Sequence, residues 1–376
     1  MPLRCRPGLT LALASPLAAC LLTIEPPGAS KAKPDSGISG GDGGPGFDAD
    51  RPQLGRAHLV VAGGVTASGA SSEVIDIEVN DDGRLGPVRP AAPLPRSMSS
   101  GAAVVVNGAF LVIGGEDASG AYLDVALRSR IVPDAGLDRF EASTTTFPPR
   151  ERNAAFGMLG RAHLVAGVGY PGITGEARVA EVRVSGEVGE WLTDEPIPSP
   201  RSRPAFARVG SFGYVLGGTT PDDDGGIYFS TTVYVRSFEP AAPPGWRATR
   251  ALPSPTTAGA AVSVRGHVCL IGGYTVGKPA GNVYCALSLP SGELDFWRDL
   301  GPLGTPRSEL AALAVGPHIY VVGGSDGEGR ALDMIESATM AEDGSLSGWA
   351  PADARLPSPR INPVAAAYRC SAAMCE

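Results

Sequence analysis

From about residue 55 onward the chain alternates short apolar runs with polar turns, and no long stretch keeps a helical period. The apolar runs have a common form. "RAHLVVAGG" closes at Gly64, "FLVIGG" at Gly115, "YVLGG" at Gly218, "CLIGG" at Gly273 and "IYVVGG" at Gly324, and "GRAHLVAGVG" runs from Gly160 to Gly169. Their first glycines fall at 63, 114, 167, 217, 272 and 323, a spacing of 50 to 55 residues. A continuous apolar run of this length predicts a strand covered on both faces, and the glycines predict positive φ where the chain leaves it. Ahead of each later run lies a strand of small residues: "GAAVVV", "AAFGM", "AFARV", "AAVSV" and "AALAV". A last one, "INPVAAAY", has no apolar run after it, and the first apolar run has no small-residue strand before it.

Two more landmarks keep this phase. Pro-Arg occurs at Pro95-Arg96, Pro149-Arg150, Pro200-Arg201, Pro306-Arg307 and Pro359-Arg360, with Pro255-Thr256 in the remaining copy. Ten or eleven residues earlier stands an aromatic, at Phe140, Trp191, Trp246, Trp297 and Trp349, with Val88 in the first copy. Six copies of this pattern resemble the kelch repeats. The resemblance implies an all-β fold, a six-bladed kelch-type β-propeller with one four-stranded blade per repeat. Small residues suit the first strand, nearest the crowded axis. The unmatched ends predict that the C-terminal strand supplies the missing strand of the first blade and closes the ring.

The chain has 51 Gly and 35 Pro but no Gly-X-Y period, which excludes collagen and fits many turns. A formal net charge of −8 without a basic block argues against nucleic acid as partner. The N-terminus differs from the rest. Arg4 and Arg6 precede an apolar stretch, Leu9 to Ala19, too short to span a bilayer, and "LAAC" ends at Cys20. This resembles a bacterial lipoprotein signal, which implies removal of residues 1–19 and lipidation of Cys20. Resemblance to enterobacterial lipoprotein sorting, with Leu21 rather than Asp after the cysteine, implies the outer membrane of a Gram-negative bacterium. Residues 20–52, rich in Gly, Pro, Ser and Asp, read as a disordered tether. The propeller is then assigned to 53–376, as a monomeric domain held to the membrane through its lipid anchor alone.

The chemistry is sparse. His58, His163, His267 and His318 take similar places in different repeats and are read as exposed strand-entry residues, with no metal. "PDDDGG" at 221–226 lacks the spacing of a calcium loop and reads as a solvated turn. No cofactor is expected. The regular aromatics and the Pro-Arg arginines are assigned to structure, the arginines bonding carbonyls of neighbouring loops. What varies between repeats on one face is the candidate binding surface. Two residues past the Pro-Arg landmarks stand Met98, Arg152, Arg203, Ala258, Glu309 and Asn362. Beyond the glycines stand Glu116, Asp117, Tyr170, Tyr274 and Asp326. Export permits disulfides, and repeat position favours Cys269–Cys285 and Cys370–Cys375. The leading functional expectation is a non-catalytic binding module for an envelope or extracellular protein or glycan. The alternatives are a periplasmic sugar mutarotase resembling the kelch enzymes that act on sialic acid, with Arg152 and Arg203 holding a carboxylate and Glu309 as acid or base, and a purely structural envelope component.

Overall fold

The computed structural model describes residues 56–370 and Cys375, apart from 134, 223 and 225. The expected signal segment, lipidation site Cys20 and tether lie outside the described residues, as do two positions of "PDDDGG". The regular elements among the described residues are strands. Six antiparallel sheets of four or five strands stand around one axis as a six-bladed β-propeller, and four two-stranded ribbons sit in the loops between. Blade 4 shows the plan, with strands Ala205–Val209, Phe212–Leu216, Val233–Ser237 and Arg247–Ala248 in order from the axis outward. The first strand of each blade touches the first strands of both neighbouring blades. Ala and Gly on these strands let six backbones meet at the centre.

Blade 1 is assembled from both ends of the fold. Val364–Arg369 pairs antiparallel with Ala57–Ala62 from Val364↔Ala62 to Arg369↔Ala57, and Ala57–Ala62 pairs in turn with Val74–Val79. The C-terminal strand therefore closes the ring, as the unmatched ends of the repeat pattern predict. Further contacts seal blade 6 to blade 1. The Tyr320 hydroxyl donates to the Gly83 carbonyl at 2.6 Å, and Arg360, where the chain passes from the outer strand of blade 6 to the closing strand, donates from Nη1 to the Gly63 carbonyl at 3.0 Å. The second strands are fully buried in blades 2 and 5, and their side chains fill the spaces between blades.

One hydrogen bond is repeated around the whole ring. The second residue of each Gly-Gly step donates its N–H to a carbonyl in the next blade: Gly64 to Met98, Gly115 to Arg150, Gly167 to Arg201, Gly218 to Thr256, Gly273 to Arg307 and Gly324 to Arg360, all at 2.8–2.9 Å. The residue before it has φ between 57° and 65° in every blade. This left-handed turn carries the N–H across to its neighbour. It also brings the carbonyl so close that a Cβ on Gly217 would stand 2.4 Å from the Thr256 oxygen.

The structure corrects three readings of the sequence. In blade 3 the left-handed pair is Ala166-Gly167, not a step beginning at Gly167, so Ala166 holds the place of a first glycine. In blade 2 the landmark Pro95-Arg96 lies two residues early. Met98, fully buried, occupies the place that Arg150, Arg201, Arg307 and Arg360 fill elsewhere. The histidines are not uniformly exposed either: His163 and His267 are buried, because the second strand starts beneath the turns of the neighbouring blade. His163 pairs with Asp194 at 3.0 Å and stacks on Phe156, and His58 pairs with Asp76 at 2.7 Å.

Four of the landmark arginines, Arg150, Arg201, Arg307 and Arg360, bond carbonyls, whereas Arg96 is exposed. Arg307 donates to Gly323 O at 3.1 Å and Arg150 to Glu176 O at 3.2 Å. Each of three also meets a carboxylate the sequence reading overlooked: Arg150 with Glu176, Arg307 with Glu336 and Arg360 with Glu73. Of the aromatics, Phe140, Trp191 and Trp246 are buried between blades. Trp246 and Trp297 donate their indole N–H to Glu195 O and Arg250 O of the preceding blade. Cys269 is directly opposite Cys285 in register and bonded to it, and Cys370 is bonded to Cys375.

Gly217→Ala is expected to lower Tm by several degrees, since a left-handed non-glycine residue costs about 1–3 kcal/mol before the clash with Thr256 is added. Ala166→Gly, at the equivalent place, is expected to leave Tm unchanged or raise it. Scanning calorimetry of both variants checks the pair.

Candidate functional site

Two residues ahead of each first strand the chain again turns left-handed, this time without glycine. Ser100, Arg152, Arg203, Ala258, Glu309 and Asn362 have φ between 49° and 59°. Each such residue costs on the order of 1–3 kcal/mol and persists only where its surroundings hold it in place. Here the surroundings are their own neighbours. Arg152 N–H donates to Ser100 O, Arg203 to Arg152 O, Ala258 to Arg203 O, Glu309 to Ala258 O and Asn362 to Glu309 O, at 2.7–3.3 Å. The result is a girdle of main chain around the axis. Its side chains border an axial cavity and a narrower pocket adjoining it.

The cavity has a volume of about 720 Å³, within the usual range for ligand sites. Arg152, Arg203 and Glu309 form its charged floor, Ser202, Thr219, Thr257 and Ser308 contribute hydroxyls, and Phe229, Ile227 and Tyr274 make an apolar wall. The charges at the floor are paired: Arg203 Nη1 meets Glu309 Oε1 at 3.0 Å, and Arg152 Nη1 meets Glu151 Oε1 at 3.2 Å. Burial pulls the Arg203 guanidinium below its ordinary range, and the Glu309 charge partly restores it.

The sequence-derived face residues divide into groups. Arg152, Arg203, Glu309, Tyr274 and Asp326 line the main cavity, and Asn362 lines the smaller pocket with the same arginines. Glu116, Asp117 and Tyr170 lie outside both linings, on loops of blades 2 and 3. Asp117 and Asp326 serve their own hairpins. Asp117 accepts from Ser119 and the Ala121 N–H, and Asp326 from Arg330 and the Glu328 N–H, which holds both carboxyls below the usual range. Met98 is core, and Ser100 takes its place on the girdle, a position legible only when blade 2 is aligned on its small-residue strand.

Glu151, next to the landmark Arg150, escaped the sequence reading altogether. Its side chain is 2 % exposed and its Oε2 has no hydrogen-bond partner among the described protein groups. Arg152 Nε and Asn153 Oδ1 are likewise buried and unpartnered, so three successive residues hold unmatched polar atoms at this end of the girdle. Burial raises the Glu151 carboxyl to about 7; Arg152 lowers it, Glu116 at hydrogen-bond reach raises it and Arg203 lowers it. Below that pH the protonated, neutral form of Glu151 is favoured.

The mouth of the cavity is uneven. On blades 3, 4 and 5 its loops carry exposed apolar side chains: Tyr170 at 85 %, Ile227 at 68 %, Tyr228 at 53 % and Val276 at 84 %. On blades 6 and 2 the corresponding turns are polar, "SDGEGR" and "EDASGA".

Comparison with known proteins agrees with this architecture. The Kelch motif matches residues 306–337, most of blade 6. Beta-scruin of Limulus polyphemus is 24 % identical over 222 residues, which cover 56 % of this chain and 22 % of that protein. The match thus spans about a fifth of the relative's length.

A carboxyl raised in the fold favours the folded state below its unfolded value, near 4.5, and the advantage is lost as pH rises through about 7. Glu151→Gln is therefore expected to raise Tm by a few degrees at pH 8 and to leave it near wild type at pH 5. Thermal melts at the two pH values check the sign.

Proposed function

We infer that this propeller is a non-catalytic interaction module that engages a protein partner through its axial mouth. The apolar tips of blades 3 to 5 carry this reading. Large side chains left exposed beside a preformed cavity mark a surface built to be covered. The rigid girdle beneath supplies paired charges for orientation, and its left-handed residues are strain of the kind that gathers at functional sites. The unequal loops give the mouth a defined register for one partner.

An enzymatic role as a sugar mutarotase finds less support. Glu309, the expected acid or base, is tied to Arg203, and Glu151, whose carboxyl is raised to about 7, does not border the cavity. Exchange spectroscopy of reducing sugars with the purified protein tests it directly.

The placement in the cell rests on "LAAC" and the polar segment after it. In this reading lipidated Cys20 holds the domain at the envelope of a Gram-negative bacterium. Wild type is expected in the membrane fraction and Cys20→Ala in the soluble fraction; equal solubility removes the anchor from the proposal. Crosslinking in the native envelope then tests the mouth. Ile227→Ser combined with Val276→Ser is expected to reduce the captured partner at least tenfold, while Leu159→Ser, on the opposite face, leaves it unchanged. Equal capture by all three proteins places the interaction elsewhere.

A further inference from the structure

Beside the axial cavity, blades 2 and 3 bring together two carboxyl groups and two aromatic rings. Glu116 follows the Gly114-Gly115 step and pairs in register with Ser99, whose hydroxyl reaches its Oε1 at 3.5 Å. Glu151 lies close to it, buried, with Oε1 on Arg152, Oε2 without a hydrogen-bond partner among the described residues, and the Glu116 carboxyl near enough to raise its own. Tyr122 is bridged to Glu116 through the main chain. Its ring lies 5.3 Å from that of Tyr170, tilted by 34°. Tyr170 is 85 % exposed, an unusual position for a side chain with so much apolar surface to bury.

We propose that Glu116, Tyr122 and Tyr170, with Glu151 behind them, form a receptor for an organic cation, the lysine or arginine side chain of a protein partner docked on the mouth. Two aromatic faces beside a half-exposed carboxylate suit a flat or soft cation, which they attract through ring quadrupoles as well as charge. A metal ion is a poorer fit, because no group of three or more His, Cys, Asp or Glu side chains gathers among the described residues. Arg152 does not already satisfy the site. It takes one oxygen of Glu151 and also borders the axial cavity, which leaves the other Glu151 oxygen unpartnered and Glu116 without an ion pair among the described residues.

The paired carboxyls make this receptor sensitive to protons. Glu151 is faced by Glu116, Arg152 and Arg203, with Tyr122 nearby. When Glu151 holds a proton, the pair carries one negative charge; when it loses the proton, the pair carries two. A cation arriving at Glu116 therefore favours release of that proton, and the linkage is reciprocal: its affinity rises as pH passes upward through about 7. Should the cation lower the Glu151 carboxyl by one pH unit, affinity changes about tenfold between the two limits.

This inference rests on the interaction reading of the mouth, but its test does not need the partner. The probe is N-acetyl-argininamide, titrated into the full-length protein at pH 5.5 and pH 8 and followed by shifts of the tyrosine ring resonances, with N-acetyl-glutaminamide as the neutral control. Wild type is expected to bind about tenfold more tightly at pH 8, and the neutral control not at all. Glu116→Gln and Tyr170→Ala should weaken binding at both pH values. Glu151→Gln, which keeps the shape of the site, should bind with no pH dependence between 5.5 and 8. Binding in wild type that is indifferent to pH, or that survives Glu116→Gln unchanged, overturns the proposal. If the Ile227/Val276 variant still loses its crosslinked partner while argininamide fails to bind, the cation receptor falls and the interaction surface stands.

Discussion

A single main-chain hydrogen bond, repeated six times, is the constraint on which this molecule turns. The second strand of every blade must end in a left-handed residue so that the following N–H can reach the carbonyl of the next blade. The bond itself contributes only about 1 kcal/mol net. Its importance lies in what it fixes. It sets the approach of adjacent blades, buries the second strand between its neighbours, and brings the landmark arginines under the turns whose carbonyls they satisfy. Glycine is favoured because both φ and the nearby oxygen penalise a Cβ. Ala166 shows that the penalty is tolerable once, in a ring held by five other blades.

Just past each of those carbonyl-bearing residues the chain turns left-handed a second time, now with residues chosen for their side chains. Scaffold and site are thus neighbours in sequence in every blade. Met98, Arg150, Arg201, Thr256, Arg307 and Arg360 provide the structural carbonyls, and two residues later Ser100, Arg152, Arg203, Ala258, Glu309 and Asn362 form the girdle. The first set is buried and varies little in role. A buried arginine with its carboxylate is replaced by Met98 in blade 2 and Thr256 in blade 5, as expected if an ion pair roughly breaks even against a well-packed neutral side chain. The second set differs in charge from blade to blade, which allows a symmetric fold to present an asymmetric surface.

The architecture was legible because it is periodic. Apolar runs, Gly-Gly steps and aromatics recur in phase, and the unmatched first and last strands announced the closure at Ala57–Ala62 and Val364–Arg369. Where one copy departed from the pattern, the reading slipped: "GRAHLVAGVG" hid the alanine in a glycine's place, and an early Pro-Arg put Met98 where Ser100 belongs. The site was legible in part. Arg152, Arg203, Glu309 and Asn362 followed from register alone, since a fixed offset from a strand fixes direction. Glu151 did not, because its character comes from burial against Glu116, on a different blade, and no local pattern encodes that meeting. The exposed tips of Ile227, Tyr228 and Val276 were hidden for a similar reason: only the folded ring shows which loops border the cavity.

The closure of blade 1 also has a mechanical meaning. Ala57–Ala62 begins at the face opposite the mouth and is gripped on both sides, by Val364–Arg369 and by Val74–Val79, over its whole length. A pull on the chain at residue 56 runs along this strand and loads both ladders of hydrogen bonds in shear, so that many must yield together rather than one at a time. Force that reaches the domain through the residues before 56 thus meets its most resistant geometry. A partner seated on the tips of blades 3 to 5 would draw on the far side of the ring, so tension between the two would pass from blade 1 through the repeated bonds between blades.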